Sequence, residues 1–387
     1  MCLLMVKVPK SRIFFSLISC LLITTPAYSN PKVGVWNIVS TFVGSPYSRG
    51  YQEGTGSAAR FENPYAITID SSGTLYVADN GNYRIRKITS SGTTSLLAGS
   101  GTTGYAEGTG ASAQFNTFQW GIAADNSGNV YVSDTTNNRV RKITSGGTTS
   151  LLAGSTSGYQ EGTGAGARLS SPRGLAVNSA GTVYVATATS ERIRAITSGG
   201  TTSLLAGSGA TGYVEGTGSA AQFSTPTSVA VDSSGTVYVI DANNYRIRKI
   251  TSGGTTSLFA GSTQGYAEGT GSAARFNFFN LIPSGITVDN AGTVYVADTF
   301  NYRIRTITPG GVTSTLAGTT QGFVVDVPGA VAKFDRPVGI AVDNSSGAVY
   351  IANYDGSCIV KMDPLQIYIN TDAAPTYVNR DLSLNLS

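Results

Sequence analysis

Carboxylate side chains recur at fixed intervals along this chain, which makes them the first candidates for chemistry. The phrase Gly-Tyr-x-Glu-Gly-Thr-Gly occurs five times, and a looser sixth copy carries an aspartate; the acidic residues are Glu53, Glu107, Glu161, Glu215, Glu268 and Asp326. Carboxylate oxygens are ligands that Ca²⁺ prefers. Each carboxylate can instead cap amides of its own loop. We therefore expect capping and no cofactor, with a calcium site as the alternative.

A second recurring pattern places an aspartate five residues before an arginine. The pairs are Asp79 and Arg84, Asp134 and Arg139, Asp241 and Arg246, and Asp298 and Arg303. The sixth copy lacks both members and has Asn353 and Cys358 instead. Because the two members disappear together, the pattern predicts an Asp–Arg ion pair within each repeat, with a structural rather than a catalytic role.

The chain contains no histidine, and this excludes several kinds of active site. Serine–histidine and cysteine–histidine nucleophile systems need an imidazole, as do histidine general bases and the usual zinc sites. Charged residues make up only 12% of the chain. No apolar run approaches the ~20 residues that span a bilayer. We expect neither a membrane span nor a disordered acidic or basic tail protein.

The elements that must position these residues form an internal repeat. The phrase of Gly73–Asp79 occurs in six similar copies, with its tyrosine at Tyr76, Tyr131, Tyr184, Tyr238, Tyr295 and Tyr350. Each copy reads as four short β-strands, which in the first are Ala66–Asp70, Thr74–Ala78, Tyr83–Ile88 and Thr94–Ala98. Six four-stranded units of this length predict an all-β, six-bladed β-propeller of antiparallel blades.

The strand motifs resemble a known family. Tyr76-Val77-Ala78-Asp79 is followed by Asn82-Tyr83-Arg84-Ile85, and similar segments begin at Asn137, Asn244 and Asn301. This pattern resembles the NHL repeat. The resemblance implies a six-bladed propeller with a central channel, related in shape to gluconolactonase-like propellers.

The two ends of the repeat region indicate how the propeller closes. Ser40–Gly44 matches the fourth-strand phrase Ser95–Gly99, whereas the last copy ends after its third strand near Met362. We therefore predict that the N-terminal strand completes the last blade and removes two exposed strand edges. Leu365–Asn370 is the competing segment. The propeller is expected over residues 30–366, followed by a C-terminal tail, 367–387.

The first 29 residues have the three regions of a secretory signal peptide. Lys7, Lys10 and Arg12 precede the apolar stretch Ile13–Ile23, and Ala27-Tyr28-Ser29 supplies a cleavage site. A looser match to a lipoprotein box ends at Cys20. Without these residues the net charge is +1, so no nucleic-acid partner is expected. We predict a secreted or periplasmic monomer that keeps one cysteine, Cys358.

Positions at which the copies disagree are the candidates for ligand contact. The residues just before each first strand differ, and the resemblance implies that they ring the channel mouth: Tyr65, Trp120, Arg173, Thr227, Ser284 and Val338. A neighbouring loop varies likewise at Asn80, Thr135, Thr189, Asn243, Phe300 and Tyr354. Our predicted ligand-binding set is Tyr65, Trp120, Arg173, Thr227, Ser284 and Phe300, with neutral drift as the alternative.

These observations favour an exported, non-enzymatic propeller that binds a protein, peptide or glycan on its loop-rich channel-mouth face. The alternative implied by the resemblance is a gluconolactonase-like, metal-dependent hydrolase or lyase. A structural role in an envelope assembly is the third possibility.

Overall fold

The computed structural model describes residues 32–117, 121–279, 284–364 and 366–370, with side chains from residue 37 to residue 364. The predicted signal peptide, Trp120 and the tail beyond Asn370 lie outside the described residues. Every helix in the described part is a single 3-10 turn of three residues. None of these helices is long and apolar enough to cross a membrane.

Six antiparallel sheets form the six blades. From the inner to the outer strand, blade 1 contains Pro64–Ile69, Leu75–Asp79, Arg84–Ile88 and Thr94–Ala98; blade 2 contains Ile122–Ala124, Val130–Asp134, Arg139–Ile143 and Thr148–Ala153; blade 3 contains Pro172–Val177, Val183–Thr187, Arg192–Ile196 and Thr202–Ala206. Blade 4 contains Pro226–Val231, Val237–Asp241, Arg246–Ile250 and Thr255–Gly261; blade 5 contains Ile286–Val288, Val294–Asp298, Arg303–Ile307 and Val312–Ala317; blade 6 contains Pro337–Val342, Val349–Asn353, Cys358–Met362 and Ile38–Val43.

The remaining elements of the propeller are two-residue strands and 3-10 turns. Two-residue strands pair with the outer strands of four blades: Gly108–Thr109, Gly216–Thr217, Gly269–Thr270 and Val327–Pro328. The 3-10 turns between second and third strands are Asn80–Asn82, Thr135–Asn137, Ala188–Ser190, Ala242–Asn244 and Thr299–Asn301. Three further turns lie in the loops between blades: Gly56–Ala58, Gly218–Ala220 and Gly271–Ala273.

The N-terminal strand closes the ring, as the sequence predicts. Ile38–Val43 pairs antiparallel with Cys358–Met362 and forms the outer strand of blade 6. The inner strand of each blade contacts the inner strands of both neighbouring blades, so the six blades form a closed circle. The competing segment has a different partner, because Gln366–Asn370 pairs with Lys32–Trp36 in a separate two-stranded sheet.

The hydrophobic core lies between the blades. In one of these clusters, Ile67 and Val77 of blade 1 pack with Tyr350 and Ile359 of blade 6. Side chains alternate between the two faces of a strand, so each blade buries one face against each neighbour. This packing fixes the inner strands around the channel.

In blades 1, 2, 4 and 5 the turn after the inner strand is held by the aspartate of Asp-x-x-Gly, whereas blade 3 has Asn178 at this position and the turn of blade 6, which begins at Asp343, is one residue longer. In blade 1, Asp70 accepts hydrogen bonds from the backbone N–H groups of Ser72 and Thr74 at 2.9 and 3.0 Å. Gly73 has a φ of 81°, which favours glycine. The sequence thus specifies the hairpin locally.

Candidate functional site

The antiparallel blades give the propeller two chemically different ends. The loops that run from the outer strand of one blade to the inner strand of the next share one end with the 3-10 turns between second and third strands. We call this end the loop-rich face. The other end carries the short turns that follow the inner and third strands, and we call it the turn face.

Most of the predicted ligand-binding residues are buried at the loop-rich end of the channel. Tyr65, Arg173, Thr227 and Ser284 are 3%, 9%, 1% and 1% exposed. The ring of Tyr65 meets that of Tyr354 edge to face, with centroids 5.0 Å apart. These side chains therefore pack among the blade ends instead of forming an open rim. Their role in ligand binding stays a prediction.

Two further positions complete the account of the predicted set. Phe300 is half-exposed and contacts Phe279 edge to face, with ring centroids 5.6 Å apart. Trp120 lies outside the described residues. The 3-10 turns show that the second group of divergent positions was aligned incorrectly in three blades. Thr189, Asn243 and Phe300 each stand one residue after the position equivalent to Asn80. The equivalent residues are Asn80, Thr135, Ala188, Ala242, Thr299 and Tyr354.

The channel is narrow at this end because the inner strands approach closely. Four blades have a glycine where blades 1 and 4 have Ala66 and Ser228; the glycines are Gly121, Gly174, Gly285 and Gly339. A Cβ on Gly339 would lie 2.8 Å from the carbonyl oxygen of Tyr65 in the next blade. The void lined by these residues has a volume of only about 40 Å³.

The predicted Asp–Arg pair exists, but the arginine is two residues further along. Four buried pairs have Nη1–Oδ2 distances of 2.9 to 3.1 Å: Asp79–Arg86, Asp134–Arg141, Asp241–Arg248 and Asp298–Arg305. The prediction of Arg84 and its equivalents is therefore wrong. Arg86 is completely buried and needs a buried counter-charge, whereas the partly exposed Arg84 donates to the carbonyl oxygens of Asn82 and Ser100.

Burial dominates the electrostatics of these pairs. It raises the pKa of Asp79 and of Asp241 to about 6, although the neighbouring guanidinium groups of Arg86 and Arg248 lower the pKa. The sixth copy has Asn353 and Val360 at the two positions and so contains neither charge. Because both members of each pair are completely buried, the pairs link the second and third strands of their blades.

The loop glutamates of blades 1 to 4 contact the buried arginine of the third strand. The nitrogen–oxygen distances range from 2.6 to 3.3 Å in four blades: Glu53–Arg86, Glu107–Arg141, Glu161–Arg194 and Glu215–Arg248. The sequence predicts that each glutamate caps amides of its own loop. In these four blades the glutamate instead forms an ion pair with an arginine of the third strand. Among the described residues, no three acidic or cysteine side chains come close enough to hold a metal ion, so this donor set does not fit calcium.

The exposed aromatic side chains of the described residues all lie in the loops of the loop-rich face: Tyr47, Tyr51, Tyr105, Tyr159, Tyr213, Tyr266 and Phe279. Five of the tyrosines lie over an arginine, at 3.9 to 4.2 Å from guanidinium carbon to ring centroid: Tyr51–Arg84, Tyr105–Arg139, Tyr159–Arg192, Tyr213–Arg246 and Tyr266–Arg303. The sequence analysis missed these tyrosines. The sequence signal that could have identified them is the tyrosine that recurs in Gly-Tyr-x-Glu, together with the arginine that recurs at the start of the third strand.

A wider void lies at the other end of the channel. It has a volume of about 570 Å³ and opens among the turns of the turn face. All six inner strands contribute to its wall. The structure therefore offers two candidate regions: an aromatic surface on the loop-rich face and a cavity on the turn face.

Comparison with known proteins identifies the repeat. The NHL repeat profile matches residues 120–143, 223–250 and 334–362. None of the curated proteins matches this chain in sequence.

Solved structures with a similar fold include an auxiliary nutrient-binding protein from Bacteroides ovatus, at 17% identity and a TM-score of 0.64 over 86% of this chain and 78% of that one. A second auxiliary nutrient-binding protein, from Bacteroides thetaiotaomicron, is 16% identical with a TM-score of 0.62 over 87% and 77% of the two chains. A gluconolactonase from Xanthomonas campestris is 15% identical with a TM-score of 0.53 over 79% and 87%. At these identities the likeness concerns the fold alone. The chain thus contains NHL repeats at residues 120–143, 223–250 and 334–362 and folds as a six-bladed β-propeller that is similar in structure to a gluconolactonase propeller.

Proposed function

We propose that the protein is exported and binds a protein, peptide or glycan on its loop-rich face without catalysing a reaction. The observation that carries this proposal is the distribution of exposed aromatic side chains. Within the described residues, all seven lie in the loops of one face. The turns of the opposite face consist of small and polar residues, such as Ser71-Ser72-Gly73 and Ser145-Gly146-Gly147.

The tyrosines are suited to binding because their rings are held in place. Tyr159, for example, is 42% exposed and lies over Arg192 at 3.9 Å. A ring fixed by a cation on one side presents a large amphipathic surface at little further loss of side-chain entropy. Rings of this kind are frequent at the centres of binding surfaces.

Two further points support binding over catalysis. Two of the structures with a similar fold carry the description "auxiliary nutrient binding protein". The signal peptide predicted over residues 1–29 agrees with a site of action outside the cytoplasm. The hydrolase alternative rests on similarity of fold alone, and the described residues offer no cluster of acidic side chains for its metal.

The proposal is tested by ligand screening followed by substitution. The mature chain is screened by thermal shift against soluble peptides and oligosaccharides, because a specific ligand raises the melting temperature. Phe279→Ser should then weaken binding of the ligand found by at least tenfold, since Phe279 is 47% exposed beside Phe300.

Val312→Ser is the matched control. Val312 is 46% exposed in the same blade, but it begins the outer strand at the turn face. Equal losses of binding in the two variants, or no loss in Phe279→Ser and in Tyr105→Ser, would contradict the assignment to the loop-rich face.

A further inference from the structure

The cavity on the turn face has the size of a small-molecule site. Its volume of about 570 Å³ falls in the range of roughly 300–1,000 Å³ typical of ligand pockets. Its floor is a ring of six residues, one from each inner strand, which also line the narrow void beyond: Ile67, Ile122, Leu175, Val229, Ile286 and Ile340. Beyond this ring the void in the channel has a volume of only about 40 Å³. The cavity therefore has one wide opening, toward the turn face.

The wall of the cavity offers hydrogen-bonding groups that belong to the backbone. Each inner strand is the last strand of its sheet, so the edge that faces the channel has no strand partner. Such an edge presents N–H and C=O groups in regular alternation. Six of these edges surround the cavity, so backbone polar groups recur along its wall.

The rim adds neutral side chains. Ser71, Asn126, Asn290 and Asn344 occupy turns at the mouth, and all four are exposed. The backbone N–H of Asn290 donates to Oδ1 of Asn344 at 2.8 Å, which joins the turns of blades 5 and 6. Amide and hydroxyl groups both donate and accept hydrogen bonds.

The two carboxylates of the rim are committed to their own turns. The Oδ1 atom of Asp70 accepts hydrogen bonds from Ser72 and Thr74, and its Oδ2 accepts one from the hydroxyl of Tyr76. Asp343 likewise accepts hydrogen bonds from Ser345 and Ser346. Among the described residues, no lysine or arginine lines the cavity. The site therefore has no free counter-charge for an ionic ligand, whose desolvation would be costly.

We propose that this cavity binds a small uncharged polyhydroxylated molecule of mono- or disaccharide size. A sugar carries several hydroxyl groups that both donate and accept hydrogen bonds, which matches a wall of backbone strand edges and a rim of amides and hydroxyls. This site lies at the opposite end of the channel from the proposed loop-rich surface and does not depend on it.

The test uses isothermal titration calorimetry of the mature chain with glucose, galactose, maltose and lactose. Glucuronate serves as the charged counterpart of glucose, and cyclohexanol as the apolar counterpart. We expect at least one neutral sugar to bind with a Kd below about 10 mM, and glucuronate and cyclohexanol to bind at least tenfold more weakly.

The variant Asn126→Leu/Asn290→Leu keeps the side-chain size and removes both amides. It should weaken sugar binding at least tenfold and leave the melting temperature unchanged, because both residues are exposed. Ser233→Leu is the matched control, since Ser233 holds the equivalent turn position in blade 4 but does not line the cavity.

Phe279→Ser separates the two sites and should leave sugar binding at the cavity intact. Absence of binding by every neutral sugar would overturn the proposal. So would equal affinity for glucuronate or cyclohexanol, or an unchanged affinity in the double variant.

Discussion

The guanidinium of Arg86 donates a hydrogen bond to the carboxylate of Asp79 at 2.9 Å, and both side chains are completely buried. The same guanidinium donates to the carbonyl oxygens of Gln52 and Arg60 and to the carboxylate of Glu53. These last three residues belong to the loop that enters blade 1. One buried cation therefore joins that loop to the second and third strands, and it fixes the loop that carries the exposed Tyr51.

Removing the buried carboxylate should destabilise the protein much more than removing the half-exposed one. Asp79→Ala leaves Arg86 without its buried counter-charge, which costs about 3–5 kcal/mol. Glu53→Gln changes a carboxylate that is 34% exposed, for which we expect about 0–1 kcal/mol. Melting temperatures of the two variants, measured at the same pH, give the comparison. Similar small shifts in both would mean that the loop glutamate alone satisfies the arginine.

Blade 3 provides a natural counterpart to this experiment. Thr187 replaces the aspartate there, and Arg194 keeps Glu161 at 2.6 Å together with the carbonyl oxygens of Arg168 and Gln160. A repeat can therefore retain its arginine without the aspartate. We expect Glu161→Gln to destabilise the protein more than Glu53→Gln, because Glu161 is the only carboxylate that contacts Arg194 within the described residues.

The sequence specifies the fold through its repeats and the site only in part. The copies of the Tyr-Val-Ala-Asp phrase predict six blades, and the fourth-strand phrase at Ser40–Gly44 predicts the closure that the structure confirms. The partner of Asp79 was assigned wrongly, because spacing along the chain does not show which of two arginines is buried. Arg173 is buried at a point where neighbouring blades approach closely, because a Cβ on Gly121 would clash with its carbonyl oxygen, and no single repeat reveals this approach.

Deleting residues 30–44 should leave the ring open. Ile38–Val43 is the outer strand of blade 6, so its loss exposes the edge of Cys358–Met362. An exposed edge promotes aggregation, and the lost packing is a sizeable part of the ~5–15 kcal/mol that stabilises a domain. Size-exclusion chromatography and thermal unfolding measure both effects. Removal of residues 371–387, which contain no described strand, is the control and should change neither the elution volume nor the melting temperature. If the variant without residues 30–44 is monomeric and melts normally, closure by this strand is contradicted.

Cys358 should be unreactive in the folded protein at pH 8. The side chain is completely buried, and burial raises the pKa of its thiol to about 12. Thiolate is the form that iodoacetamide modifies, so mass spectrometry should detect labelling only after denaturation. The unfolded thiol loses its proton near pH 8.5 while the folded one keeps it, so the free energy of unfolding should decrease as the pH rises above about 8.5. Cys358→Ser removes this dependence, and rapid labelling of native protein would refute the burial.

The sequence and the structure suggest different roles for Arg173. The sequence predicts a ligand-binding residue, whereas the structure shows a buried side chain. Burial lowers the pKa of its guanidinium to about 10, while the nearby Glu191 raises it. Glu191 is itself buried and accepts a hydrogen bond from the backbone N–H of Thr225 in the loop entering blade 4. Because loss of the cation leaves this carboxylate less well compensated, Arg173→Ala should cost about 3–5 kcal/mol, and Arg173→Lys should recover part of it. Thermal unfolding of both variants gives the cost, and Arg168→Ala, which changes an exposed arginine in the preceding loop, is the control.

If Arg173→Ala melts normally but no longer binds a ligand of the loop-rich face, Arg173 is a ligand-binding residue at the channel mouth, as its divergence among the repeats predicts. If it melts at a lower temperature and its folded fraction binds normally, its role is to hold the ends of the blades together.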